Sequence, residues 1–243
     1  MKTAILAIAA AALVLTTPMP ALAQDESTII VTGSRVERDD YDEYYDDDQS
    51  AIGLTRQADY FVKPILVSSD SRDSDTRRAE VTAMLQATIA RAEAQGINLV
   101  AGRYRLRPLN AETLEDLTYG RGSRPDTTQV QIYARLPVGG RFDRVEDVDE
   151  LVSDFTKNIP VTGRSYIETR STVLAIDNPQ SYRGAVVEAI ADESKRYAAM
   201  FGPGYGVEVR GLDSELYFKQ ASETEVFLYI RHTFIIRPPG RGS

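Results

Sequence analysis

The residue types that most often carry chemistry are scarce in this chain of 243 amino acids. It has no cysteine and a single histidine, His232. A serine or threonine nucleophile needs a neighbouring base, and a structural zinc site needs several Cys or His ligands. His232 falls in a strand-like run near the end of the chain, and we interpret it as an ordinary strand residue. The sequence therefore predicts no catalytic residue, no cofactor and no metal centre.

Two other patterns are typical of binding chemistry but fit structural roles better. Residues 202–206 read Gly-Pro-Gly-Tyr-Gly, yet they follow a predicted helix and precede a predicted strand, the reverse of a phosphate-binding loop. We interpret them as a helix-terminating turn. The carboxylate pairs Asp192/Glu193 and Asp213/Glu215 stand beside no motif that would poise one of them as a general acid. Neither pattern indicates an active site.

An acidic segment lies early in the chain. Residues 39–48 combine aspartate and glutamate with tyrosine and have no apolar period, so we expect residues 39–50 to form a solvated, disordered insertion. Its carboxylates suit hard cations such as calcium, but the glycine-punctuated spacing of an EF-hand is missing. Ten of the 36 acids fall within residues 25–48, which leaves the rest of the chain near neutrality. Without a basic stripe, nucleic acid is not an expected partner.

The N-terminus predicts Sec-type export. Lys2 provides a positive start, residues 4–15 are apolar, and residues 21–23 read Ala-Leu-Ala, a cleavage motif, so residues 1–23 are expected to be a signal peptide. No later segment reaches the roughly 20 apolar residues of a transmembrane helix. No cysteine at the cleavage site offers a point for lipid attachment. We expect a Gram-negative protein that begins at Gln24 and resides in the periplasm or at the outer membrane.

Residues 51–237 alternate strand-like and helical patterns, which is typical of an α+β domain. The first helix should be capped by Ser74 and stopped by Gly96, and Asn178-Pro179 should begin the third. The apolar stripes of the three helices are Val81, Met84, Leu85, Thr88 and Ala92; Val148, Leu151, Val152, Phe155 and Ile159; and Tyr182, Val186, Ala189, Ile190, Tyr197 and Phe201. A helix with one apolar face needs a sheet to cover it, so we expect a mainly antiparallel sheet with the three helices packed on it.

The strand-like runs complete this prediction. Residues 129–138 alternate most clearly, with one face buried and the other solvated. We expect Pro64 at an edge or a bulge and residues 238–243 as a flexible tail. The final two runs should pair as a β-hairpin. The six predicted strands are 51–68, 97–107, 129–138, 165–176, 207–218 and 225–236.

The order of these elements resembles the SIMPL domain family, a group of periplasmic and outer-membrane-associated proteins. That family opens with a strand of the form I-x-V-x-G, which Ile29, Ile30, Val31, Thr32 and Gly33 match. The looser matches are a strand at 58–67 and helices at 76–95, 145–158 and 181–201. The insertion at 39–50, the Gly-Ser-Arg at 33–35 and a longer C-terminal region depart from the family pattern. The resemblance implies an envelope role with self-assembly and transfers no active site.

The N-terminal segment, residues 24–38, also resembles the TonB box of TonB-dependent receptors. Residues 27–35 read Ser-Thr-Ile-Ile-Val-Thr-Gly-Ser-Arg. The chain is too short for the plug and barrel of a complete receptor. The segment is therefore either an N-terminal strand or a TonB-box-like peptide, and its candidate partner-binding residues are Ile29, Ile30, Val31, Thr32 and Gly33.

These observations favour an exported, non-enzymatic envelope protein that acts by self-association or partner binding. A second copy of the chain and another envelope protein are the expected partners. The first alternative is a TonB-interacting accessory protein of outer-membrane transport. A periplasmic hydrolase is the less favoured alternative.

Overall fold

A computed structural model describes residues 28–31, 52–102, 105–122 and 124–239. Three α-helices and a mostly antiparallel set of strands confirm the α+β class. The helices are α1 (Ser74–Gln95), α2 (Val145–Lys157) and α3 (Arg183–Met200). The strands are β1 (Thr28–Val31), β2 (Gly53–Gln57), β3 (Tyr60–Ser69), β4 (Asn98–Ala101), β5 (Arg107–Pro108), β6 (Gly120–Arg121), β7 (Thr128–Pro137), β8 (Ser165–Thr169), β9 (Val173–Asp177), β10 (Gly206–Arg210), β11 (Leu216–Gln220), β12 (Glu225–Ile230) and β13 (Thr233–Arg237).

The predicted signal peptide at 1–23, the acidic segment at 39–50 and the end of the tail at 240–243 lie outside the described residues. Among the helices of the described part, none is long and apolar enough to cross a membrane.

Helix α1 forms largely as its sequence predicts. The N-cap is Asp73 rather than Ser74, because an Asp73 carboxylate oxygen accepts a hydrogen bond from the Thr76 amide at 2.8 Å. Gly96 ends the helix in the left-handed region at φ 68°, as expected. The buried face is Val81, Met84, Leu85, Thr88, Ile89 and Ala92.

Helix α3 departs from its prediction at both ends. Residues 179–182 form a 3-10 turn, and Asn178 makes no side-chain cap, so the α-helix begins at Arg183. Its buried face is Val186, Ile190, Ser194 and Ala198. The predicted stripe through Tyr197 and Phe201 is therefore wrong over the last two turns, where those aromatic rings are exposed.

The main sheet has the strand order β1-β9-β3-β7-β4-β5, with β8 also paired to β3 and β6 to β7. All these pairs are antiparallel. Helices α1 and α2 pack on one face, over β3 and β7. Their shared core includes Phe61, Ile65, Val130, Ile132, Val148 and Phe155.

The opposite face of the main sheet is covered in part. A second cluster joins Val62, Val100, Leu106, Tyr133 and Ala175. Tyr133 is therefore buried although the alternation of β7 predicts a solvated face there. The segment that supplies Leu106 was predicted as part of one strand at 97–107, but it leaves β4 and returns as the short β5.

Pro64 lies in a central strand and faces a bulge in its neighbour. Val62 pairs with Val173 and Ile65 with Thr169, so residues 63–64 oppose residues 170–172. The Pro64 carbonyl accepts the Arg170 amide at 3.1 Å, which places the missing proline N–H on the bulged side. The predicted single strand at 165–176 is thus two strands, β8 and β9, separated by this bulge.

The C-terminal strands form one long hairpin that changes sheet halfway. The outer half pairs β10 with β13, and the inner half pairs β11 with β12. Between them, Gly211 adopts φ +90°, where a Cβ would lie 2.7 Å from the Arg231 carbonyl. The inner half is extended by β2 into a three-stranded sheet. Helix α3 contacts both halves and β2.

Candidate functional site

The predicted partner-binding segment forms an edge strand where it is described. Strand β1 pairs with β9 in the register Ile29↔Ile176 and Val31↔Leu174. Its Cα trace also passes within 8 Å of β11. Thr32 and Gly33 lie outside the described residues. Within the described part, one side of β1 is therefore paired and the other side is an open sheet edge.

The single histidine occupies the break in the C-terminal hairpin. The prediction that His232 lies inside the last strand is wrong, because it lies between β12 and β13. Its Nδ1 is 2.6 Å from the Ile230 carbonyl oxygen, and its ring packs edge-on against Phe234 at 5.0 Å. These contacts give His232 a structural role at the bend.

The arrangement that most resembles a serine nucleophile with its base is a cluster of two serines around Glu80. Its carboxylate accepts hydrogen bonds from the Ser69 hydroxyl at 2.5 Å and the Ser71 hydroxyl at 2.8 Å. Donation by Ser69 lowers the pKa of Glu80, so this carboxylate is a weaker base than a free glutamate. A serine nucleophile needs a base that takes its proton, and the Glu80 cluster instead joins the start of α1 to β3.

An ion pair between a buried lysine and a partly exposed aspartate lies on the helix side of the main sheet. Lys63, with 6% of its surface exposed, places its Nζ 2.6 Å from Asp149 Oδ1 on α2. Thr172, from the bulge opposite β3, donates to the same oxygen. The pair compensates the charge of a lysine inside the core, which would otherwise be costly. Within the described part, no group of three or more His, Cys, Asp or Glu side chains is placed to hold a metal ion.

The inner half of the hairpin carries an aromatic row on its outer face, formed by Tyr217, Phe227 and Tyr229. Cross-strand partners Tyr217 and Tyr229 stack at 5.6 Å, and Phe227 lies 5.7 Å from Tyr229. Arg231 lies 4.7 Å over the Tyr217 ring, and Lys219 lies 5.6 Å from the Phe227 ring. The rings are half-buried and already have cationic partners within the chain, so we do not assign the row a binding role.

The outer half of the hairpin adjoins a surface of another kind, the α3 terminal patch, formed by Tyr197, Met200, Phe201 and Tyr205. Met200 is 67% exposed, Phe201 61%, Tyr197 38% and Tyr205 36%. The helical spacing i, i+3, i+4 puts the first three on one side of the last turn. The one other large apolar side chain of the described part with comparable exposure, Val161, lies elsewhere.

Ring contacts hold the α3 terminal patch in place. The Tyr197 ring lies 5.8 Å from Phe234 of β13, and the Phe201 ring lies 5.9 Å from Tyr205. The turn between them uses Gly202 at φ +117° and Gly204 at φ +83°. The residues predicted as a helix-terminating turn therefore do terminate α3, and they also bring Tyr205 back beside the helix.

The strands next to the patch offer unpaired edges. In the described part, β10 and β13 pair only with each other. On their outer face, Glu208 accepts hydrogen bonds from Arg237 Nε at 2.9 Å and Arg210 Nε at 2.6 Å. These bonds, with Arg237 the larger influence, lower the pKa of Glu208. The patch thus adjoins open strand edges, and the charged side chains lie on the opposite face of the same two strands.

No protein-family model, no curated protein and no solved structure matches this chain. The assignment of roles to its residues therefore depends on contacts, burial and charge. Sequence reasoning placed Tyr197 and Phe201 in the core and missed the patch. The signal available was the small side chains Ser194 and Ala198, which mark the true contact face of the same helix.

Proposed function

We propose that this chain is an exported envelope protein that acts by binding protein, without catalysis, and that the α3 terminal patch is its contact surface. The observation that carries the proposal is the exposure of four adjacent apolar side chains that ring contacts hold in place. Contiguous exposed apolar groups are typical of interaction sites in soluble proteins. Export is supported by the signal-peptide pattern of residues 1–23.

The occupant that we favour is a second copy of the same chain. The β10 and β13 edges beside the patch are suited to antiparallel pairing across a twofold axis, where the same surface serves both partners. An envelope protein of different sequence is the other partner that the test can reveal.

Sedimentation velocity of the mature chain, residues 24–243, tests this proposal across micromolar concentrations. We expect a concentration-dependent dimer that is lost in the double variant Met200→Ser/Phe201→Ser, because hydroxyl groups replace the apolar contact area. Circular dichroism should show that the variant is folded. Val161→Ser is the matched control, since Val161 is 67% exposed but lies outside the patch.

Two results would contradict the self-association proposal. One is a wild-type protein that stays monomeric at every concentration, and the other is a double variant that dimerises like wild type. If the isolated protein is monomeric but cross-links through position 201 to a different envelope protein in cells, the second copy is the wrong occupant.

A further inference from the structure

A cleft lies where the main sheet narrows, beside the C-terminal ends of α1 and α2. Strand β7 runs past β4: Asn98 pairs with Arg135, and the following Leu136 and Pro137 have no partner in β4. The end of α1 forms one wall, and the turn at Arg141 together with α2 forms the other. The cleft has a volume of about 620 Å³. This lies within the roughly 300–1,000 Å³ typical of small-molecule sites.

The floor of the cleft is apolar. Phe155 is 1% exposed, Leu136 5%, Ile97 7% and Phe142 8%. Leu151 of α2 lines the side above them. The cleft therefore offers the apolar surface that the hydrocarbon part of a ligand requires.

The polar lining is predominantly cationic. Arg91, Arg135 and Arg141 line the cleft, whereas Asp154 is its one acid, and Asp154 lies 3.8 Å from Lys157. The C-terminal ends of α1 and α2 meet here and carry partial negative charge, so one of these arginines has a structural role in neutralising it. Arg91 has this role, because its Nε donates to the Phe155 carbonyl at 3.1 Å.

The remaining donors have no such structural task. Within the described part, the two terminal nitrogens of Arg91 form no hydrogen bond. The Arg141 guanidinium lies 5.4 Å from the Phe142 ring, and among the described residues no carboxylate forms an ion pair with it. Arg135 is not among these donors, because its guanidinium lies 4.5 Å over the Tyr60 ring, on the face of β7 that Tyr133 shares and away from the cleft floor. An arginine beside an apolar pocket, with free N–H groups in a fork, is suited to a carboxylate.

We propose that this cleft binds an amphipathic carboxylate of the medium-chain acyl class. The acyl chain lies on the floor at Phe142 and Phe155, and the carboxylate meets Arg141 and the free nitrogens of Arg91. The cationic lining favours an anion, and the apolar floor favours a hydrocarbon body over a free inorganic anion.

Isothermal titration calorimetry on the mature chain tests the proposal, with decanoate and decyltrimethylammonium below their micelle concentrations and decanol below its solubility limit. We expect decanoate to bind at least about tenfold more tightly than decanol, because charge-assisted hydrogen bonds depend on the carboxylate. The cationic amphiphile should not bind. Equal binding of all three would show a nonspecific apolar cavity and overturn the assignment.

Substitutions locate the site. Arg141→Gln should weaken decanoate binding about tenfold and leave decanol unchanged, whereas Arg144→Gln, an exposed arginine outside the cleft lining, should change neither. The Met200→Ser/Phe201→Ser variant should bind decanoate like wild type. Loss of decanoate binding in that variant would place the ligand at the α3 terminal patch instead, and an unchanged affinity in Arg141→Gln would also contradict the proposal. Failure here leaves the sedimentation test of self-association unaffected.

Discussion

Phenylalanine is buried in the middle of the main sheet but exposed at the end of α3. Phe61 on β3 is fully buried between the sheet and the helices, whereas Phe201 at the end of α3 is 61% exposed. Strand β3 has neighbours on both edges and packing on both faces. The end of α3 has beside it only the two-stranded ribbon that β10 and β13 form. The apolar stripe of a helix marks the side chains that could be buried. How many of them are buried depends on how far the neighbouring sheet extends along the helix.

The contact between α3 and the ribbon has a specific physical form. Ser194 and Ala198 are small and buried, and the Ser194 hydroxyl is satisfied by the Ala191 carbonyl at 2.8 Å. Small side chains let the strands approach the helix closely. The large side chains Tyr197 and Phe201 then fall to the side of the contact, where they face solvent. The patch is therefore a consequence of close packing at its neighbours.

The largest expected difference is between the two phenylalanines. Phe61→Ala should lower the free energy of unfolding by about 3–5 kcal/mol, because it leaves a cavity in a closely packed core. Phe201→Ala should change it by less than about 0.5 kcal/mol, since the ring is mostly solvated. Urea unfolding monitored by circular dichroism, at a protein concentration where the chain is monomeric, measures both. Similar losses in the two variants would remove the distinction between the regions.

Two glycines sharpen the comparison at smaller scale. Gly163, in the loop before β8, has φ +58°, and an added Cβ would collide with the Glu80 carboxylate. Gly163→Ala should therefore cost about 1–2 kcal/mol from the backbone conformation, with a further loss as Glu80 moves from its serines. Gly184→Ala, in the first turn of α3 with open space around it, should instead stabilise by up to about 1 kcal/mol. Thermal unfolding of the two variants at one pH is the measurement.

The fold could be predicted where local pattern and long-range packing agree. The alternation at 129–138 corresponds to β7 (Thr128–Pro137), and the stripe of α1 is buried as expected. The hairpin at the C-terminus was also predicted. Its division at Gly211 was not, because the choice between joining β2 and forming a separate ribbon depends on tertiary contacts.

The candidate sites were less predictable for a physical reason. The exposure of Tyr197 depends on where the ribbon ends, and the cleft depends on β7 running past β4. Neither is a local property of the sequence. Tyr133 shows the reverse error, since a distant segment with Leu106 covers a face that alternation predicts to be solvated. The sequence pattern of a segment indicates the periodicity of its helix or strand. Which face of that element is exposed to solvent depends on the elements that pack against it.

Two glutamates test the comparison through pH and salt. Hydrogen bonding from Ser69 lowers the pKa of Glu80, and pairing with Arg237 and Arg210 lowers the pKa of Glu208. A lowered folded-state pKa gives stability that is present above the unfolded pKa of about 4.3 and is lost as pH falls through the folded value. Glu80→Gln and Glu208→Gln should each reduce the fall in stability below about pH 5.

Added salt should separate the two glutamates. The Glu208 contribution comes from exposed ion pairs. About 1 M salt shortens the electrostatic screening length to roughly 3 Å and should weaken these pairs. The Glu80 contribution comes from hydroxyl donors in direct contact and should persist. Urea titrations at several pH values, with and without salt, give the slopes. Equal salt sensitivity of the two variants would contradict the difference in environment that separates the regions.

The smallest expected effect concerns β1, which belongs to the main sheet by register but has an open edge like the ribbon. Its two resemblances require different states of the free protein. A SIMPL-like first strand pairs with β9, and its amides exchange slowly, whereas a TonB-box-like peptide must remain available to add as a strand to another protein. Ile30 pairs with Ala175 in the structure, so we expect measurable protection at Ile29–Val31.

Hydrogen exchange followed by mass spectrometry or NMR decides between these states. Amides of β3 should exchange most slowly, because that strand is paired on both edges, and β1 and β13 should exchange faster, because each has one unpaired side in the described structure. Protection at Ile29–Val31 should nevertheless exceed that of an unstructured peptide. Exchange at the unstructured rate would favour the TonB-box-like state, and binding of residues 24–38 to the periplasmic domain of TonB would then be the next measurement. Slow exchange would leave the open edge of β1, rather than a free peptide, as the surface that a partner strand could join.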